Sequence, residues 1–113
     1  MDSESILATI RDRVVGSVEE KTFDNDLIMH INSAFSDLQG IGVGPVQGFE
    51  IEDDMSTWDE FNDEPSVINS VKEFVYLTVK LAFDPPTQAA LLASMEKRLA
   101  KLEWNLNVKC DST

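Results

Sequence analysis

Few side chains in this chain could do catalytic or metal-binding chemistry, and they are scattered. Its 113 residues include one histidine, His30, and one cysteine, Cys110. A zinc site takes about four such ligands at close spacing, and neither a cysteine nor a carboxylate pair stands beside His30. His30 precedes the apolar Ile31, so we expect a half-buried histidine at the edge of a core. A pH-sensitive interface residue is the alternative.

Four acids, Asp53, Asp54, Asp59 and Glu60, lie close together in the middle of the chain. They lack the alternating oxygen ligands, central glycine and final glutamate of a calcium loop. A two-carboxylate hydrolase would also need an enclosing cleft, which a small helical chain rarely provides. The glycine-rich segment Gly42–Gly48 lacks the Lys-Ser/Thr of a phosphate loop. The sequence therefore predicts no catalytic, cofactor-binding or metal-binding residue, and no enzyme activity.

The net charge of −12 is unevenly distributed. Residues 1–64 contain sixteen Asp and Glu against three Lys and Arg, whereas residues 65–113 contain five against six. Glu50 to Glu64 alone carries eight acids and no base. Such a surface repels the phosphates of nucleic acids, so specific DNA or RNA binding is disfavoured. A solubilising acidic face is the simplest interpretation of the charge.

Length and composition fit a single domain with one modest core. The lone cysteine excludes a disulfide within the chain and favours synthesis in a reducing cytoplasm. The first residues lack the basic and apolar parts of a secretory signal. No apolar run approaches the roughly 18 residues of a membrane span, so no membrane association is expected.

Two helices are predicted in the first part of the chain. The first is capped by Asp2 or Ser3 and stops at Gly16; the second is capped by Asp24 and ends at Gly40. In each, apolar residues recur every three or four positions, as on the buried side of a helix. These stripes are Ile6, Leu7, Ile10 and Val14 in the first helix, and Leu27, Ile31, Ala34, Phe35 and Leu38 in the second.

The segment from Ile41 to Pro65 is glycine-rich and acidic. Its apolar positions leave room for a short β-hairpin. Met55, Trp58 and Phe61 follow at a spacing of three, which predicts one helical turn. This trio forms either a small cluster under the loop or an anchor on a neighbouring subunit. A connection of about 25 residues inside a compact domain is more often functional than idle.

Two longer helices are predicted after this loop. The third begins at Pro65 and is apolar nearly all round, which indicates a central position. Pro85 and Pro86 end it, and Asp84 or Thr87 caps the last helix. The core side of the last helix is a heptad-like seam, more often intrachain than interchain: Leu92, Met95, Leu99, Leu102 and Leu106. The sequence thus predicts an all-α fold, a small antiparallel bundle of about four helices with a long acidic loop. Residues 1–108 form the domain and residues 109–113 a flexible tail.

Four sequence motifs resemble those of the small head–tail connector (adaptor) proteins of long-tailed bacteriophages. They are FDNDLIMHINSAF at Phe23–Phe35, TWDEF at Thr57–Phe61, FDPPT at Phe83–Thr87 and LEWNLNV at Leu102–Val108. They follow one another in the family's order, and the resemblance covers nearly the whole chain, from about Glu4 to Val108.

The resemblance implies a structural virion protein made in the host bacterial cytoplasm. About twelve copies would form a ring under the portal after DNA packaging, extending the DNA channel and offering a platform to stopper and tail proteins. Other copies, the portal and the stopper or tail-completion protein are the implied partners, while DNA passes through unbound. The family has no short catalytic motif from which residues could be carried over.

Two sets of surface candidates follow. The acids expected to face the channel are Glu50, Glu52, Asp53, Asp54, Asp59 and Glu60. The residues expected to contact another subunit or the portal are Met55, Trp58, Phe61, Lys101, Trp104 and Lys109, with the C-terminal part taking part in portal docking. The alternatives are an acidic helical DNA mimic or a regulatory dimer that binds another protein.

Overall fold

The computed structural model describes residues 4–17 and 19–111, with side chains described up to Lys109. Its helices are α1 (Ile6–Val14), α2 (Asp24–Gly40), α3 (Trp58–Phe61), α4 (Pro65–Phe83) and α5 (Ala89–Asp111). The all-α prediction is confirmed: α1, α2, α4 and α5 correspond to the four predicted helices. The four-residue α3 is the predicted turn.

Helix α4 is the centre of the bundle. It packs closely against α1, α2, α3 and α5. Its buried side chains lie on several sides of the helix, as a central position requires: Val67, Ile68, Val71, Phe74, Val75, Leu77 and Val79. Pro65 occupies the first turn, where its missing N–H costs no hydrogen bond.

Both α2 and α5 run antiparallel to α4. At the start of α2, the ring of Phe23 packs edge-on against that of Phe83 at the end of α4, with 5.3 Å between centroids. On the other side, Lys109 Nζ donates to the carbonyl of Ser66, which places the end of α5 beside the start of α4. The predicted antiparallel arrangement is therefore present.

The ends of α1 are set by Ser5 and Gly16. The Ser5 hydroxyl accepts from the backbone N–H of Ala8 at 3.1 Å, as an N-cap does. The predicted caps, Asp2 and Ser3, lie outside the described residues. Gly16 ends the helix as predicted: its φ is 92°, and its N–H donates to the carbonyls of Arg11 and Asp12.

The predicted cap of α2 is wrong. The helix begins at Asp24 itself, after Phe23 at the N-cap, which makes no side-chain capping bond. The carboxylate of Asp24 is engaged by Arg11 instead. The planar guanidinium engages both carboxylate oxygens in charge-assisted hydrogen bonds. Gly40 is the last residue of α2, as predicted.

The predicted β-hairpin is also wrong. Among the described residues there is no strand, and the only ladder contact is an isolated bridge between Ser5 and Thr57. Val43 and Ile51 do not pair with each other: the N–H of Val43 donates to the carbonyl of Leu38, and the backbone of Ile51 is bonded to the Asn32 side chain. The intervening residues, with glycines of positive φ such as Gly48, form turns.

The last helix differs from the prediction at both ends. It begins at Ala89, directly after Gln88, so neither Asp84 nor Thr87 stands at its cap. Asp84 is the C-cap of α4, and its carboxylate accepts from Lys80 at 2.9 Å. At the other end, α5 continues three residues past Val108. The flexibility of residues 109–113 and the domain limit at 108 stay predictions, and the Cys110 side chain lies outside the described ones.

At least the second half of the heptad-like seam of α5 packs against the core of its own chain. Leu102 and Leu106 are buried in the core, and Met95 and Leu99 are partly buried against it. Because α5 packs on α4, these leucines complete the core on that side. The opposite side of the helix remains at the surface.

Candidate interaction surfaces

The acidic segment between α2 and α3 is fixed to the core. The Asn32 side chain, on α2, donates to the carbonyl of Ile51 at 3.0 Å and accepts from its N–H at 2.8 Å. Both polar groups of a buried residue's backbone are thereby paired. Glu50 and Glu52, which flank Ile51, are exposed.

The same segment is tied to the start of the chain. The N–H of Ile6 donates to the carbonyl of Ser56 at 3.0 Å, and the N–H of Trp58 donates to the carbonyl of Glu4 at 3.2 Å. The indole Nε1 of Trp58 donates to Thr9 Oγ1 at 3.2 Å. The N-terminal end of α1 and the end of the acidic segment are therefore bonded directly to each other.

Four aromatic rings fill the space under the segment. Phe35 of α2 packs against Phe49, Phe61 and Trp58, with centroid distances from 4.8 to 6.4 Å. Gly44 is needed beside this cluster, because a Cβ there would lie 2.5 Å from the Phe61 ring. Its φ of 97° also favours glycine.

The predicted trio divides between the core and the surface. Trp58 and Phe61 are buried, so they form the intrachain cluster that was one of their two predicted roles. Met55 is 76% exposed. Of these three residues, only Met55 has most of its surface accessible to a partner.

The acids of the segment also divide into two groups. Glu60 accepts from the N–H of Thr57 at 2.7 Å, as in a capping box, and Asp59 accepts from the Thr57 hydroxyl. These two acids stabilise α3. Of the six acids predicted to face the channel, the remaining four make no cap to α3 and are exposed, as Glu60 is: Glu50, Glu52, Asp53 and Asp54. Within the described part of the chain, no group of three or more His, Cys, Asp or Glu is placed to hold a metal ion.

A buried ion pair links α1 to α2. The Arg11 guanidinium, whose side chain is 3% exposed, donates from Nε and Nη2 to the two oxygens of Asp24 at 2.9 and 2.7 Å. The hydrogen bonds to Asp24 raise the pKa of Arg11, and the charge of Asp54 adds to this effect. Sequence reasoning missed the pair. The available signal was that Arg11 stands within the apolar stripe, four residues after Leu7 and three before Val14.

The outward side of α5 carries the other candidate surface. Trp104 is 68% exposed and Val108 is 46% exposed. Lys97 and Lys101 are exposed on the preceding turns. A shallow groove beside Trp104 is lined by Ile41, Ala100, Glu103 and Asn107.

A second bidentate ion pair fastens α5 to α4 at the surface. Arg98 donates to both carboxylate oxygens of Glu73 at 2.8 Å. The hydrogen bonds from Arg98 lower the pKa of Glu73, against a smaller opposing effect of desolvation. Both side chains are close to half exposed, so the pair adds little stability.

These features define a small helical protein whose distinctive residues lie on surfaces rather than in a cleft. A family model for phage connector proteins matches residues 6–113, so the chain belongs to the phage connector protein family. It is a structural protein of the phage head–tail connector, located in the virion, and the resemblance stated from its sequence is confirmed. Comparisons with curated proteins and with solved structures give no match. No helix in the described ranges is long and apolar enough to cross a membrane.

Proposed function

We propose that this protein is the adaptor that binds under the portal once the genome is packaged. Its copies associate into a ring, about twelve in number, that extends the DNA channel and presents a platform to the stopper and tail-completion proteins. The match to the phage connector family over residues 6–113 carries this proposal. Synthesis takes place in the host cytoplasm, and assembly follows on the completed head.

A ring of identical subunits needs two different surfaces on each copy, one for each neighbour. The subunit offers two surfaces of opposite character. The acidic segment presents exposed carboxylates on a support fixed by Asn32. The outward side of α5 presents lysines and an exposed tryptophan.

The acidic segment also suits the wall of a DNA channel. Exposed carboxylates such as Glu50 and Glu52 repel phosphates, so DNA passes without the counterion-releasing contacts that would retain it. Asp59 and Glu60 support this wall by capping α3. The channel-facing orientation predicts a strongly negative lumen.

The end of α5 is proposed to contact the portal. Lys109 is exposed and fixed near the start of α4 by its bond to Ser66. Deleting residues 107–113 is expected to abolish portal binding. An unchanged attachment of the deletion variant would remove the C-terminal part from the portal interface.

The function is tested by sedimenting the purified protein with portal particles of its phage. We expect it to pellet with the portal in a fixed ratio of several copies per particle, and to form ring-shaped density in electron micrographs. A protein that never pellets with the portal, and forms only a stable dimer, would contradict the proposal and favour a regulatory role.

A further inference from the structure

The outward side of α5 is a continuous stripe rather than a set of isolated residues. Lys97, Lys101, Trp104 and Val108 follow at spacings of four, three and four, so they share one face of the helix. This face is opposite the buried Leu102 and Leu106. It combines an exposed indole with two lysines. A partner surface that complements it would present an apolar side chain next to acidic residues.

The tip of the acidic segment has the complementary chemistry. Met55 is 76% exposed, and the two residues before it, Asp53 and Asp54, are exposed acids. Asp53 Oδ1 accepts from the N–H of Met55 at 2.9 Å, which orders the tip. The tip is therefore an apolar side chain beside two carboxylates, on a segment already fixed to α2 by Asn32.

We propose that the α5 stripe of one subunit binds the acidic tip of the next copy in the ring. Met55 packs on the indole of Trp104, a contact that thioethers make well with aromatic rings. Asp53 and Asp54 lie opposite Lys97 and Lys101, and these opposite charges set the register of the contact. The inference rests on the proposed function, because it names the partner of a surface within that ring.

The placement of the two patches suits a ring. The tip is tied to the start of α1, whereas the stripe lies on α5. Both helices pack closely on α4, but not closely on each other, so the two patches are separate surfaces. Two separate patches that complement each other make a head-to-tail contact, which closes into a ring when the rotation allows. This assignment leaves Glu50 and Glu52 for the channel wall, and Lys109 for the portal.

Charge reversal with complementation tests the contact. One full-length variant carries Lys97→Glu and Lys101→Glu, and a second carries Asp53→Lys and Asp54→Lys. In each variant one patch is reversed, so both patches of a subunit carry the same sign. Each variant alone is expected to self-associate at least tenfold more weakly than the wild type. An equimolar mixture recovers association, because every contact between unlike variants again joins opposite charges.

The readout is sedimentation velocity at increasing concentration, without and with portal particles. Glu19→Lys with Asp37→Lys is the control, since it makes the same charge change at two exposed acids outside the tip. The control is expected to associate as the wild type does. Thermal melts followed by circular dichroism check that each variant is folded.

The outcomes separate the two proposals. If the wild type assembles on the portal and either patch variant does so equally well, the inferred contact is overturned while the connector function stands. A mixture that fails to recover also overturns the contact. A wild type that assembles neither alone nor on the portal overturns both proposals. Loss in each variant together with recovery in the mixture supports the contact.

Discussion

The segment from Ile41 to Glu64 and the helix α5 are held in the molecule in opposite ways. The segment has almost no regular structure, yet it is fixed by buried side chains, a side-chain amide and backbone bonds to the start of the chain. Helix α5 is regular over 23 residues, yet its close packing is on α4, and its first two turns are largely exposed.

The difference shows that regular secondary structure is a poor guide to how firmly a segment is anchored. A helix satisfies its own backbone and needs only one buried side to dock. An irregular segment has to find a partner for each buried polar group elsewhere in the fold. In this protein the irregular segment is therefore more deeply embedded in the core than the first half of the last helix.

The two tryptophans provide the largest expected contrast. Trp58 is fully buried under the segment, so Trp58→Ala is expected to lower the free energy of unfolding by about 3–5 kcal/mol. Trp104 is 68% exposed, and Trp104→Ala should change it by less than about 0.5 kcal/mol. Urea unfolding of both variants checks the contrast. Equal losses would show that α5 is anchored as deeply as the segment.

The two bidentate ion pairs give the next contrast. Asp24→Ala removes the carboxylate from a buried guanidinium and is expected to cost about 2–4 kcal/mol, reduced from the fully buried case because Asp24 is partly exposed. Glu73→Ala, at the surface between α4 and α5, should cost about 0.5 kcal/mol or less. Chemical denaturation of the two variants is the measurement. A similar cost at both sites would contradict the burial argument.

The amide of Asn32 is expected to matter next. Asn32→Ala removes both hydrogen bonds to the backbone of Ile51, at a cost of about 1–3 kcal/mol. Hydrogen exchange at the Ile51 amide should become faster, while exchange in α5 stays unchanged. Asn25→Ala, at an exposed position of the same helix, is the control and should leave both unchanged. Slow exchange at Ile51 in the Asn32 variant would mean that the aromatic cluster alone fixes the segment.

The smallest effect concerns pH. Arg98 holds the pKa of Glu73 below its ordinary value of 4.5, so the folded protein binds this proton more weakly than the unfolded chain. The stabilisation is present above pH about 4.5 and is lost as the pH falls through the folded pKa. Glu73→Gln should remove it, a few tenths of a kcal/mol at pH 7 because the pair is exposed. Melting temperatures of wild type and variant should therefore converge as the pH falls below the ordinary value of 4.5 and through the folded pKa; a difference that does not shrink with falling pH would contradict the shift.

The helices were predictable because their signals are local. Gly16 ends α1, Pro65 starts α4, and the apolar stripes of α1 and α2 became their buried sides. The turn at Thr57 followed from residue spacing, and its capping box formed within four residues. The error at the start of α2 arose where a distant partner competed with a local one. Asp24 is of a residue type that is favoured at helix N-caps, but its carboxylate pairs with Arg11, thirteen residues earlier.

The surfaces were only half predictable. Met55, Lys101 and Trp104 are exposed, and their contacts with a partner stay predictions. Trp58 and Phe61 carried the same aromatic signal as Trp104, and nothing local separated them. Only the packing of Phe35 and Phe49 against them decided that they belong to the core.

By itself, the sequence determined the helical class, the central place of α4, the charge division at residue 64 and the family. These properties depend on composition, apolar periodicity and sequence motifs, all of which are read directly from the sequence. The tertiary structure alone decided that Asp24 pairs with Arg11, and which tryptophan is exposed. It also fixed the residues that follow the acidic tip to the start of α1. Those outcomes depend on contacts between residues far apart in sequence, and a residue's own type does not specify such a partner.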